Sequence, residues 1–82
     1  MERLKSQKFL AGLKQSKKAI LSQKATLVYI AKDADEYIKL PLIDLCKKEG
    51  VEILYVETMK ELSKACRVEV PTAVAVLLKE EN

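Results

Sequence analysis

The run Ala25-Thr26-Leu27-Val28-Tyr29-Ile30-Ala31 constrains this chain more than any other stretch of it. It carries no charge, and it is rich in β-branched and aromatic side chains. Seven residues are too few for a buried helix but suit an inner strand covered on both faces. Two similar runs follow, Val51–Val56 and Thr72–Leu78, the last again apolar on both sides. Between the runs lie polar turns and segments with helical periodicity. A sheet buried on both faces requires helices above and below it, so the strands dictate the layering of the whole chain.

The helical segments carry their own start and stop signals. After Ala31, Lys32-Asp33-Ala34-Asp35 supplies turn chemistry. Asp35 is suited to N-cap a helix, and Glu36 falls in its first turn, where the helix dipole favours it. Apolar residues then recur at Ile38, Leu42, Leu45 and Cys46, Lys47 and Lys48 gather in the last turn, and Gly50 ends the helix. Pro41 lies beyond the first turn, so it costs a hydrogen bond and a local bend. Thr58-Met59-Lys60-Glu61 matches a capping box. The short helix behind it spaces Met59, Leu62 and Ala65/Cys66 along one face. Near the start, residues 2–11 read as a short helix closed by Gly12, and a very short extra strand near Gly12 is allowed. Residues 14–23 read as a helix with a basic side.

The order is α-α-β-α-β-α-β. The fold expected is an α/β, three-layer α/β/α sandwich around a small, mostly parallel sheet, because two successive strand–helix–strand units favour right-handed parallel crossovers. Eighty-two residues make one domain. The hydrophobic fraction of 49% is enough for a core, and with no Trp and one Phe that core must be aliphatic.

The inventory for catalysis is thin. Histidine is absent from the chain, which removes the commonest general acid–base, and two glycines cannot build a phosphate-binding loop. Turn formation and capping account for the cluster Asp33, Asp35 and Glu36. The chain therefore reads as non-enzymatic, with no cofactor and no metal. Cys46 and Cys66 form no C-x-x-C pair and fall at apolar helical positions, so they read as buried free thiols. No apolar run reaches the roughly 18 residues of a membrane span, and the amino terminus lacks a signal-peptide pattern. A cytoplasmic location is expected.

Charge is distributed unevenly. The net +3 conceals seven basic residues against Glu2 alone in the first 24 positions, with an acidic excess in the remainder. Positive charge gathered at one end suits a polyanion. Gly12-Leu13-Lys14-Gln15-Ser16-Lys17-Lys18 sharpens that expectation. A glycine precedes a helix whose first turns carry Lys14, Gln15 and Lys18, at positions that let these side chains project in nearby directions. The open amides of a helix N-terminus favour phosphate. Lysines neutralise phosphates, and a glutamine amide can read a base edge.

This segment resembles the G-x-N-E-x-x-K signature of the kink-turn RNA-binding ribosomal proteins, the archaeal L-seven-Ae and eukaryotic L-thirty-e superfamily. It is most similar to the bacterial form G-x-K-Q-x-x-K. The likeness runs on in order through Leu27–Asp35, Leu40-Pro41-Leu42 with Leu45-Cys46, Val51–Leu62, and Ala65–Val70 before the last apolar strand. The resemblance implies an RNA-binding protein that grips a kink-turn, a duplex bent at a bulge beside tandem sheared G·A pairs, with ribosomal RNA or structured leader RNA as partner. By that likeness Lys14 and Gln15 meet the G·A pairs and Lys18 is the paired lysine. Asp35 and Lys39 lie near the extruded base, which the loop Arg67-Val68-Glu69-Val70 covers. Nothing demands more than a monomer.

The chain departs from the family at one loop. Where relatives commonly read L-G-x-A-x-G, it has Leu62-Ser63-Lys64-Ala65-Cys66-Arg67, and both glycines are gone. A positive φ at Arg67 would carry a steric cost that glycine avoids. The loop then either sits differently or gains a phosphate contact from Arg67. The alternative function is a protein-interaction module of the same fold with weak or no specific RNA binding.

Overall fold

A computed structural model describes residues 8–79. Four strands, β1 (Phe9–Ala11), β2 (Ala25–Ala31), β3 (Glu52–Val56) and β4 (Val74–Leu78), form one sheet. Three helices, α1 (Leu13–Leu21), α2 (Glu36–Glu49) and α3 (Met59–Cys66), complete the described chain. The three-layer α/β/α arrangement is the one expected. Val28, Ile30, Val74 and Val76 pack under α1 and α2, whose Ala19, Ile20, Leu42 and Cys46 are buried against them. Leu27, Tyr29, Ala31, Ala75 and Leu77 face the other way, against Leu62 and Cys66 of α3. That alternation is the period-two signature of a strand, with both faces apolar because both are covered.

The sheet is mixed, which corrects the mostly parallel expectation. Its order is β1-β4-β2-β3. Only β2 and β3 are parallel, with Leu27 beside Glu52 and Ala31 beside Val56. β4 lies between β1 and β2 and runs antiparallel to both. The physical reason lies in the last connection. The α3 helix has eight residues, roughly 12 Å of rise, and the chain then turns back. The amide of Thr72 donates to the carbonyl of Met59 at 3.4 Å. The chain thus re-enters the sheet from the end at which it left β3, and an antiparallel strand results.

Residues 2–7 of the expected first helix lie outside the described residues. Phe9–Ala11 form strand β1, so the helix reading fails there and the short strand near Gly12 is present. Its three residues zip against Leu77, Val76 and Ala75, and Phe9 and Ala11 join one core layer while Leu10 joins the other. Gly12 accordingly begins a helix and does not close one. Pro41 is tolerated within α2, which continues to a left-handed cap at Gly50. Both cysteines are buried free thiols. No helix among the described residues is long and apolar enough to cross a membrane.

Candidate nucleic-acid interface

The chain crosses one end of the sheet repeatedly, and most of the residues singled out above lie on those crossings. At the first, Gly12 is the residue before α1, with φ 104 and ψ 154. A Cβ at this glycine would meet nothing within 4 Å, so the backbone angle alone favours glycine. The Gly12 amide donates to the Val74 carbonyl at 2.9 Å, which fixes the start of α1 to the start of β4. Gly12 has no side chain with which to cap α1, no other described side chain bonds its leading amides, and its first turn contains no acidic residue. Its leading amides therefore offer partial positive charge to an anion.

From this turn Lys14, Gln15 and Lys18 are all exposed, while Leu13 is half-buried. The opposite stripe of α1, Ser16, Ala19 and Ile20, is buried in the core. The amphipathic division expected from sequence is present, and it aims the polar stripe outward. Ser16 contributes an oddity, since its hydroxyl is buried with no hydrogen-bond partner among the described residues.

The second crossing is the turn between β2 and α2. Asp35 takes the N-cap position with φ −60 and ψ 142, but its carboxylate makes no capping bond. Its carbonyl accepts from the amides of Ile38 and Lys39, and the exposed carboxylate stands at the surface. The side-chain cap expected at Asp35 is thus not formed. Lys39 is turned inward. Its ammonium donates to the Lys32 carbonyl at 2.7 Å and pairs with Glu36 at 3.2 Å, and its side chain is only 15% exposed. Lys32 in turn pairs with Glu57 across to the β3–α3 connection at 2.7 Å.

The sequence accounts for Asp33 as a turn residue, but its carboxylate reaches further than that turn. Its carboxylate accepts from the Met59 amide at 2.8 Å, so it caps α3 from 26 residues away. Thr58 accepts from the Glu61 amide at 3.0 Å, as the capping-box pattern predicted. No local pattern could have revealed the Asp33 bond, because it depends on β2 and β3 lying side by side in parallel register.

The third crossing returns from α3 to β4. Arg67 adopts the left-handed conformation, φ 58 and ψ 38. This is the positive φ whose steric cost the missing glycine raised. Val68 is half-buried and packs against the core, while Arg67, Glu69 and Val70 are exposed, Val70 by 68%. The segment is then stitched down, with Thr72 bonded to Met59 and the Ala31 amide donating to the Ala73 carbonyl at 2.9 Å. Residues 72–74 therefore touch the ends of β2, α1 and α3 at once. Arg67–Val70 precede that anchored stretch, and among the described residues no hydrogen bond or ion pair joins them to Lys14, Gln15 or Lys18.

The sequence places this arrangement in a family. The model of the ribosomal protein L7Ae/L30e/S12e/Gadd45 family matches residues 1–82. An RNA-binding protein of Caldanaerobacter subterraneus subsp. tengcongensis is 43% identical over 68 residues, covering 83% of each chain. The RNA-binding protein YbxF of Geobacillus stearothermophilus is 34% identical over 80 residues, covering 93% of each chain. Among solved structures, the Giardia lamblia 15.5kD RNA binding protein superposes with a TM-score of 0.85 at 34% identity, covering 98% of this chain and 68% of that one. The fold and the sequence together define a small α/β/α sandwich protein. The chain belongs to the L7Ae/L30e/S12e/Gadd45 family.

Proposed function

We propose that this protein is a non-catalytic RNA-binding protein that recognises kink-turns and works in association with ribosomal RNA. The observation that carries the reading is the uncapped start of α1 at Gly12, from which Lys14, Gln15 and Lys18 project into solvent. RNA helices are recognised by shape and by unstacked bases, so a rigid body with a polar helix tip and a partly apolar loop fits the task. Lys14 and Gln15 face the sheared G·A pairs, and Lys18 neutralises phosphate. Asp35 and the Val68–Val70 loop receive the extruded base. Lys39 holds the Asp35 turn from within and is not a direct contact in this reading. Family membership and the RNA-binding relatives support it.

The test is a gel-shift titration with a kink-turn RNA and with a control whose G·A pairs are replaced by Watson–Crick pairs. Tight binding to the first alone is expected. Equal, salt-sensitive binding to both would reduce α1 to a non-specific basic patch and favour the interaction-module reading.

A further inference from the structure

Two of the loops assigned to the extruded base are joined through one residue. Met59 donates its amide proton to Asp33 at 2.8 Å, and its carbonyl accepts from Thr72 at 3.4 Å. Asp33 lies two residues before Asp35, and Thr72 lies two after Val70. The first residue of α3 is thus a bridge between the turn that carries Asp35 and the segment that carries Val68–Val70. The Met59 amide belongs to the first turn of a helix, where no intrahelical acceptor exists, so a partner for it must come from elsewhere. The same turn is braced from its other side by Lys39, whose ammonium holds the Lys32 carbonyl and Glu36.

We propose that Asp33 is a positioning residue of the RNA site, which through Met59 sets the distance between the Asp35 turn and the Arg67–Val70 loop. It has no contact with RNA. A rigid gap between two loops is what a flipped base requires, because loops ordered only on binding would lose affinity to that ordering. The inference rests on the RNA-binding reading for its consequence, and on the hydrogen bonds alone for its mechanism.

Three variants separate the possibilities. Asp33→Ala removes the acceptor, and Asp33→Asn keeps a carbonyl oxygen at the same place. Thr58→Ala removes the neighbouring cap of α3 and leaves the bridge intact. Amide hydrogen exchange without RNA is measured first. Exchange at Met59 and across Val68–Thr72 should quicken in Asp33→Ala, recover in Asp33→Asn, and remain near the parent's in that loop for Thr58→Ala. Kink-turn affinity should fall about tenfold in Asp33→Ala, the effect of one lost charge-assisted hydrogen bond, with an unchanged salt dependence. Asp33→Asn should restore most of that loss, and Thr58→Ala should bind as the parent does.

Unchanged loop exchange in Asp33→Ala would overturn the proposal, whatever RNA does. An equal loss of affinity in Thr58→Ala would overturn it too, by reducing the effect to general weakening of α3. If Asp33→Ala fails to fold, Asp33→Ser, whose hydroxyl is too short to hold the Met59 amide, is read by the same two measurements, with quickened loop exchange expected and parent-like exchange overturning the proposal. Quickened exchange in Asp33→Ala, together with a parent that binds no kink-turn, would support the bridge and defeat the RNA reading.

Discussion

The amide of Val68 donates to the carbonyl of Ser63 at 3.0 Å, and this bond wraps the end of α3 around a left-handed Arg67. The Arg67 amide donates to Lys64 at 3.2 Å beside it. The pair of bonds is the Schellman ending of a helix, which glycine ordinarily completes. Arg67→Gly should therefore stabilise the protein by ~1 kcal/mol, since it relieves the Cβ crowding of the left-handed region. Urea unfolding of parent and variant measures this directly. If the guanidinium also meets phosphate, RNA affinity falls in the same variant while stability rises. That opposition would separate the two roles of Arg67.

At the start of α1, Lys14→Ala and Gln15→Ala should each weaken kink-turn binding by about 1–3 kcal/mol, the scale of a lost base contact. Lys18→Ala should act mainly on phosphate and flatten the salt dependence by about one counterion. Titrations at three salt concentrations distinguish these patterns. Full affinity in the Gln15 variant would exclude a base-reading role for that amide.

Ser16 offers a test of core chemistry. Its hydroxyl is buried without a partner among the described residues, and a buried polar group left unpaired is costly. Ser16→Ala removes one oxygen and keeps the helix. Stability is expected to hold or rise by up to about 1 kcal/mol. A lower melting temperature would mean that the hydroxyl has a partner, such as an ordered water.

The two thiols set an alkaline limit. Burial raises both Cys46 and Cys66 above the ordinary value of 9.0. The folded protein thus keeps these protons at a pH where the unfolded chain releases them. The thiols leave stability unchanged below about pH 9 and lower it as the pH climbs from there through the raised values. Urea midpoints at pH 8 and pH 10 should fall further in the parent than in a Cys46→Ala/Cys66→Ala double variant.

Much of this molecule was legible in its residues. The uncharged run at 25–31 is a central strand, Gly50 ends α2, and Thr58 caps α3, because each depends on neighbours within a few positions. Reading failed where distant segments decide. Phe9–Ala11 are a strand only because Ala75–Leu77 lie beside them. The direction of β4 follows from the short return after α3, which no periodicity encodes. Lys39, expected near the extruded base, has its ammonium held by the Lys32 carbonyl and Glu36, which no spacing in the sequence foretells. The polar stripe of α1 was visible from spacing alone, whereas the Asp33–Met59 bond required the parallel register of β2 and β3.

The far end of the sheet is closed by other residues. There the amide of Leu78 meets the carbonyl of Lys8 at 2.9 Å, and that of Lys79 meets Lys24 at 2.8 Å. Gln23, Glu49 and Gly50 line an open depression beside them. A dye or tether attached at that depression sits a full strand length from Gly12, roughly 16 Å for five residues of β-structure. Immobilised by such a handle, every molecule on a sensor surface would present the start of α1 to the solution in the same orientation.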